Sequence, residues 1–311
     1  MLISARCLLG KEVRENVLQE VSDLLHHLFE NGTHLIALFY PHFPSLAHRR
    51  RDKARAMLGE IFCEIVRSRK ISGRVEDDVL QNFIDSKCME NGRSMNESEI
   101  TGLLIAMLFA GQHTSSSATS WTGACLLSHE KYMAAAVEEQ KKIIGQYGEC
   151  IDVNILSEMG TLHCCIKEAI RMHSPSTMII RQSKKNFIVE TREGHKYEIP
   201  EEHTVVSSIV VGNNLPHIYN NPNVYDPYRF GQGREEDRVG GKFAYTSFGG
   251  GRHACLGEQY AYTQIKVIWS CFLRNFEFKM ISPFPEGELD KFTPGPKGNV
   301  MVSYKRRQLV G

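Results

Sequence analysis

The segment Phe248-Gly249-Gly250-Gly251-Arg252-His253-Ala254-Cys255-Leu256-Gly257 places a cysteine behind a run of glycines and ahead of an apolar-periodic stretch. A cysteine delivered to the first turn of a helix meets free backbone N–H groups, which favour its thiolate as a nucleophile or a metal ligand. A nucleophile would need an imidazole base within hydrogen-bond reach. His253 lies only two residues away, whereas such partners are usually distant in sequence, and no Asn or Asp orienter is suggested. A cysteine hydrolase and a metal-binding thiolate both remain open on these residues alone.

Three other groups could do chemistry. Glu168 and Arg171 stand at i, i+3, a spacing that at a surface is worth little. A second cation, Arg229, follows in Asp226-Pro227-Tyr228-Arg229-Phe230, ahead of the glycines. Gly111, His113 and Thr114 sit in a stretch from Ala110 to Ser117 where Gly, Ser and Thr all lower helix propensity. Something other than helix stability must explain that composition. His163-Cys164-Cys165 carries ligand-type residues, but neighbours on a helix point to different faces and no second ligand pair appears, so core packing is expected.

The elements that must position these groups are mostly helical. Asp52 to Lys70 carries one apolar stripe (Ala54, Leu58, Ile61, Phe62, Ile65), and Asn96 with Glu99 has capping-box spacing ahead of a Pro-free pattern reaching about Ser128. Glu130 to Tyr147, Ser157 to Met172 and Cys255 to Asn275 read as further helices. Trp121 and the hydroxyls of Ser116 to Ser120 are expected inside the long helix's packing. β-branched runs at Thr177 to Ile180, Phe187 to Glu190 and Thr204 to Val211 read as short strands. The aromatic, Pro-punctuated stretch Leu35 to Pro44 reads as a loop packed on the core, or as a membrane-facing or entry lid. No internal repeat or linker separates independent domains.

Composition bounds the partners. With 37 Lys+Arg against 36 Asp+Glu the chain is nearly neutral, which argues against nucleic acid as a partner, and the basic run His48 to Lys53 reads as a solvated helix start. Nine cysteines without C-x-x-C spacing read as reduced thiols facing a cytosol. The longest apolar run, Ile100 to Ala110, is about half of what a bilayer span needs, so no transmembrane segment is expected in this chain, and Met1 to Gly10 lacks secretory-signal character.

At Phe248, Gly251, His253, Cys255 and Gly257 the cysteine segment resembles the loop F-x-x-G-x-[R/H]-x-C-x-G of the cytochrome P-450 superfamily. Glu168 and Arg171 resemble its E-x-x-R helix, and Ala110 to Ser115 resembles its oxygen-binding segment [A/G]-G-x-[D/E]-T-[T/S], with His113 in place of the acid. His113, His253 and the run from Glu168 to Arg181 (EAIRMHSPSTMIIR) resemble the sterol 14α-demethylase branch, most closely its plant, obtusifoliol-type members. The similarity runs from Arg6-Cys7-Leu8-Leu9-Gly10 through Ala47 to Asp52 to the end of the chain.

The resemblance implies a mainly α fold with a small β portion, a long central helix and a haem-binding cysteine loop. Residues 1–311 would form one partial haem-thiolate monooxygenase domain that lacks an N-terminal anchor, the early helices and part of the sheet. Faces of Ile100 to Ala110 and of the Cys255 helix would then lie exposed. Cys255 would be the axial ligand of the iron in haem b. Arg181 and His253 would bind propionates, Thr114, His113 and Gly111 would serve oxygen and protons, and Glu168, Arg171 and Arg229 would hold the loop. The implied partners are a sterol substrate, O2, an NADPH-dependent flavoprotein reductase, and the cytosolic face of the endoplasmic reticulum membrane for the complete protein. Lys266 and Lys141-Lys142 are candidates for docking the electron donor. Ser174, Ser176 and Thr177 stand where the branch carries apolar residues, which leaves a paralogue acting on another sterol or a triterpene as an alternative. A truncated, non-catalytic chain is the other.

Overall fold

The computed structural model describes residues 10, 12–32, 40, 43–88, 91–191, 193–288 and 291–310. Residues 1–9, and within the Leu35 to Pro44 loop residues 35–39 and 41–42, lie outside them. Of that loop, Tyr40 and Phe43 are described and are exposed, against the expectation of core packing. The chain divides into two units, Met1–His113 and Thr114–Gly311, and the division falls inside a helix rather than at a linker.

In the first unit a π-helical turn at Val13–Val17 leads into α1 (Leu18–Gly32), followed by α2 (Leu46–Ser72), α3 (Val79–Asp85) and the start of α4 (Glu97–Ser128). Helix α2 starts six residues before the apolar stripe because Ser45 caps it, its Oγ accepting from His48 N at 3.2 Å. It stops at Gly73, whose φ of 63° lets its N–H reach the Arg69 carbonyl. Ala54, Leu58, Phe62 and Val66 point one face of α2 into a core shared with Leu24, Leu25, Leu28 and Leu80. Arg69 ends that face buried, and burial works against its charge. Hydrogen bonds to Asp78 and Glu12, both 2.7 Å away, outweigh it and raise its pKa.

The capping box at the head of α4 is formed in full: Asn96 Oδ1 accepts from Glu99 N and Glu99 Oε2 accepts from Asn96 N, each at 2.9 Å. At 32 residues α4 extends about 48 Å and runs unbroken through the poor-propensity stretch. Ile100, Leu104, Ile105 and Leu108 are buried in the first unit's core. The expected exposure holds for one side of this stretch, where Leu103, Ala106 and Ala110 are exposed, while α1 and α2 cover the other side.

In the second unit, α5 (Glu130–Tyr147), α6 (Val153–Glu158) and α7 (Gly160–Met172) follow the end of α4. The single helix expected over Ser157 to Met172 is two. The chain breaks at Met159 (ψ 72°), and α7 restarts because the Glu139 carboxylate accepts from Thr161 N at 2.6 Å and Leu162 N at 3.0 Å. A cap supplied from another helix leaves no local sequence signal. Three two-stranded antiparallel sheets follow: β1 (Met178–Gln182) with β4 (Thr204–Ser208), β2 (Phe187–Glu190) with β3 (Lys196–Ile199), and β5 (Phe276–Met280) with β6 (Val302–Arg306). The strand expected to reach Val211 ends at Ser208, whose Oγ accepts from Val211 N and starts the short helix α8 (Ile209–Gly212). A 3-10 turn (Pro227–Phe230), α9 (Glu236–Val239) and a second 3-10 turn (Gly251–His253) precede α10 (Glu258–Asn275). Leu126, Ala136, Ile143, Leu162, Ile166, Ile170, Ile265 and Leu273 form the core of this unit, so most of the apolar face of α10 is also covered.

Candidate functional site

The cysteine segment is a turn held at both ends. Gly249 and Gly251 take φ of 72° and 65°, which side-chain-bearing residues rarely adopt, so the glycines are demanded by the backbone path. Cys255 N donates to Phe248 O at 2.8 Å and Ala254 N to Gly251 O at 3.2 Å. The Phe248 ring packs on Tyr262 of α10, 5.3 Å between centroids. Helix α10 begins at Glu258, so Cys255 precedes the helix by three residues instead of lying in its first turn, a correction to the sequence reading. Gly257 is the N-cap, and a Cβ built there would meet the Cys255 Sγ at 3.8 Å. Cys255 itself is a free, exposed thiol beside a fully exposed Leu256, and a Cβ built at Gly251 would meet nothing within 4 Å.

A lone soft donor on a cleared turn cannot build a tetrahedral protein-only metal site. Among the described residues no three His, Cys, Asp or Glu side chains group to hold a metal ion. The donor set suits an axial position on a metal whose other ligands a macrocycle supplies, so the residues present fit a haem. His253 is exposed on the same turn. Arg181 is exposed on β1, paired in register with Val205, and its Nη1 donates to its neighbour's carbonyl, Ile180 O, at 2.8 Å.

Behind the turn lies a fully buried ion cluster. Glu168 Oε2 accepts from Arg171 Nε at 2.7 Å, and its Oε1 accepts from Arg171 Nη2 and Arg229 Nε, both at 2.9 Å, and from Asp226 N at 3.0 Å. All three side chains have no solvent exposure. Arg171 donates onward to Asn213 O and Pro222 O, each at 2.7 Å, and Arg229 to Asn220 O at 3.0 Å and to Glu236. Both guanidiniums lie against the Tyr219 ring, at 5.1 and 6.0 Å from its centroid. Burial disfavours charge on Arg229, but the attraction and hydrogen bonds of Glu168 and Glu236 prevail and raise its pKa. The arms of the two arginines thus pin the irregular chain from Asn213 to Val224, which leads to the cysteine turn.

Sequence reasoning missed the outer acids of this cluster. Asp226 pairs with Arg234 at 2.6 Å and accepts from Tyr132 Oη at 2.9 Å, and Glu236 bridges Arg229 and Arg234. The available signal was Asp226 three residues before Arg229, the N-cap of the Pro227 turn.

In the first unit, Gly111 and His113 are half-buried on α4, and the His113 ring stacks on Phe29 of α1 at 3.6 Å. In the second unit, Thr114 is half-buried on the same helix. Ser117 is buried and donates to Pro294 O at 2.5 Å, but Ser116 and Ser120 are exposed, contrary to expectation, because they fall on the helix's outer face. Trp121 is buried and stacks on His173 at 3.8 Å. His173 is held down to about 4 by burial and then by Arg171. Lys266 is not an exposed docking residue: it is buried, and its Nζ donates to Leu156 O at 2.7 Å. Cys165 is buried in the core and Cys164 half-buried, as core packing requires.

The cytochrome P450 family model matches residues 1–302. Obtusifoliol 14-alpha demethylase of Sorghum bicolor is 56% identical over 310 residues, covering 100% of this chain and 63% of that protein. Sterol 14-demethylase of Arabidopsis thaliana is 54% identical, covering 99% of this chain and 63% of that protein. Lanosterol 14-alpha demethylase of Homo sapiens is 34% identical, covering 99% and 59%. A solved cyanobacterial structure with bound retinoic acid superposes with a TM-score of 0.86 over 98% of this chain and 67% of that one, at 23% identity, a likeness of fold. The chain spans about 63% of the length of the Sorghum and Arabidopsis relatives.

Proposed function

The chain belongs to the cytochrome P450 family, and from that premise we propose that it serves a haem-thiolate monooxygenase that removes the 14α-methyl group of a sterol. The observation that carries the reading is Cys255, a free and exposed thiol on a glycine-cleared turn that follows a stretch, Asn213 to Val224, pinned by a buried ion cluster. Identities of 54–56% to plant 14-demethylases across nearly all of the chain support the sterol assignment.

Cys255 would hold the iron of haem b through its thiolate, and His253 and Arg181 would bind the propionates. Bound haem would supply activation of O2 for attack on an unactivated C–H bond. The Thr114 hydroxyl would donate a hydrogen bond to O2, and Gly111 would open the helix to give it room. The His113 imidazole would move protons at its ring nitrogens, a task suited to near-neutral pH. Electrons would come from NADPH through a flavoprotein reductase. Three oxidations of the methyl carbon, one O2 each, would release formate and leave a C14–C15 double bond. Among the described residues no helix is long and apolar enough to cross a membrane. The endoplasmic reticulum membrane is proposed as the site of the complete protein.

One observation favours a second reading of the substrate. Ser174, at the segment that would line the sterol pocket, is buried and its Oγ has no hydrogen-bond partner. A buried, unpaired hydroxyl at this position favours another sterol or a triterpene that carries an additional polar group facing Ser174.

The test is the CO difference spectrum of the reduced, haem-reconstituted chain beside its Cys255→Ala variant. A long-wavelength Soret band present in the parent and absent from the variant is expected, and titration of that species with obtusifoliol-type sterols against triterpenes then chooses the substrate. Absence of the band from the parent would overturn the thiolate assignment for this chain and leave a non-catalytic one.

A further inference from the structure

Resting on the haem-thiolate reading of Cys255, we propose that Asn213 is a positioning residue that ties the Glu168–Arg171 helix to the backbone presenting the thiol. Asn213 is fully buried, and a buried carboxamide is costly unless its donors and acceptor are matched. They are matched on two elements at once. Its Nδ2 donates to Arg171 O at 3.2 Å, in the last turn of α7, and to Ser247 Oγ at 2.8 Å. Its Oδ1 accepts from Thr246 N at 3.4 Å, and its own carbonyl accepts from Arg171 Nη1 at 2.7 Å. Ser247 completes the bridge by donating to Ile170 O at 3.5 Å.

Thr246 and Ser247 immediately precede the cysteine segment and lead into it through a tight turn in which Gly249 N donates to Thr246 O at 2.8 Å. Peptide planarity carries the placement of Ser247 into that of the next residue, Phe248. The Phe248 carbonyl in turn accepts the Cys255 N–H at 2.8 Å. The Phe248 ring against Tyr262 anchors the turn on the α10 side. Asn213 supplies the anchor on the α7 side, so that the buried ion cluster and the sulfur belong to one hydrogen-bonded frame. Neither the spacing of Asn213 nor its type marks it in the sequence.

The experiment is hydrogen–deuterium exchange on the full chain without haem, resolved at the Gly249 and Cys255 amides, for Asn213→Ala, Ser247→Ala, Ser247→Thr and the double alanine variant. Site-resolved alkylation of the Cys255 thiol is followed in parallel. Each single alanine variant should speed exchange at both amides by at least about fivefold, the factor for one net hydrogen bond, since each removes more than one, while the His173 amide at the end of α7 keeps its parent rate. Ser247→Thr keeps the hydroxyl and should restore the parent rate. The double variant should exceed the larger single effect by less than twofold, because both groups serve one bridge. Unchanged exchange, additive effects, or acceleration spread evenly over α7 would overturn the proposal. Because these readouts need no haem, a missing Soret band in the parent would sink the functional reading without moving them. If the parent shows the band, the alanine variants should lose part of it to a short-wavelength form.

Discussion

Replacing Glu168 by Gln tests the buried cluster most directly, because the shape is kept and one charge is removed. The carboxylate accepts two hydrogen bonds from Arg171, one from Arg229 and one from Asp226 N. An amide in its place turns one acceptor into a donor aimed at a guanidinium. Arg229 keeps Glu236, but Arg171 is left with only neutral acceptors, the Asn213 and Pro222 carbonyls and Asn214 Oδ1. Breaking a buried pair from one side costs about 3–5 kcal/mol, since the remaining cation stays desolvated. For a unit the size of Thr114–Gly311, each kcal/mol lowers the midpoint by about 2–4 °C, so a fall of roughly 10 °C is expected. Thermal unfolding followed by circular dichroism measures it, with Arg93→Gln as comparison, since Arg93 and Glu99 form an exposed pair. Salt should erode the small effect at the exposed pair and leave the Glu168 effect nearly intact. A fall of less than about 2 °C, or one that vanishes with salt, would mean that backbone carbonyls alone satisfy Arg171 and that the cluster does not hold the chain ahead of the cysteine turn.

Gly123→Ala should destabilise by about 1–3 kcal/mol, because a Cβ there would overlap the Trp269 ring, whose Cη2 would lie 2.7 Å away and whose Nε1 is tied to Thr119 O at 3.1 Å; urea unfolding unchanged from the parent would show that the indole is free to shift. Asn96→Ala should cost about 0.5–2 kcal/mol by opening the cap of α4, read from amide exchange at Glu99. The Glu99 carboxyl is held down to about 2 by hydrogen bonds from Arg93 and Asn96, so its contribution is complete above the usual carboxylate value of 4.5 and disappears as pH falls through about 2; protection of the first turn of α4 that is lost already near pH 4.5 would contradict the geometry. His163 and His173 are both held down to about 4 from 6.5, chiefly by burial and then by nearby Lys266 and Lys167 for the first and Arg171 for the second. The unfolded chain therefore takes up protons first, and stability should fall as pH drops from 6.5 toward 4 with a slope approaching two protons. His173→Phe should halve that slope in urea titrations, and an unaltered slope would show that His173 is protonated in the folded chain.

The ion cluster illustrates how far local reading reaches. Glu168 and Arg171 lie within one helical turn, and the order of Arg229 and the glycines after them suggested a network. Of its outer layer only Asp226 carried a signal, its N-cap position before Pro227, while Arg234 and Glu236 are ordinary surface types whose significance comes only from where the chain returns. Helix α7 shows the same limit: its start depends on Glu139, more than twenty residues upstream. Lys266 read as a surface cation, yet its stem lies in the core and its ammonium reaches a helix-end carbonyl.

What the sequence determined by itself is therefore local in origin: the Asn96–Glu99 box that starts α4, the helical stripe of α2, and the glycines that let the turn reach Cys255 at positive φ. These follow from interactions spanning a few residues, where spacing alone sets which groups meet. Only the tertiary structure decided which arginine arms reach Asn213 and Pro222, why Gly123 must stay small beneath Trp269, and how Asn213 joins α7 to the cysteine turn. Those contacts join residues far apart in the chain, and burial makes each unmatched polar group costly enough to choose its partner.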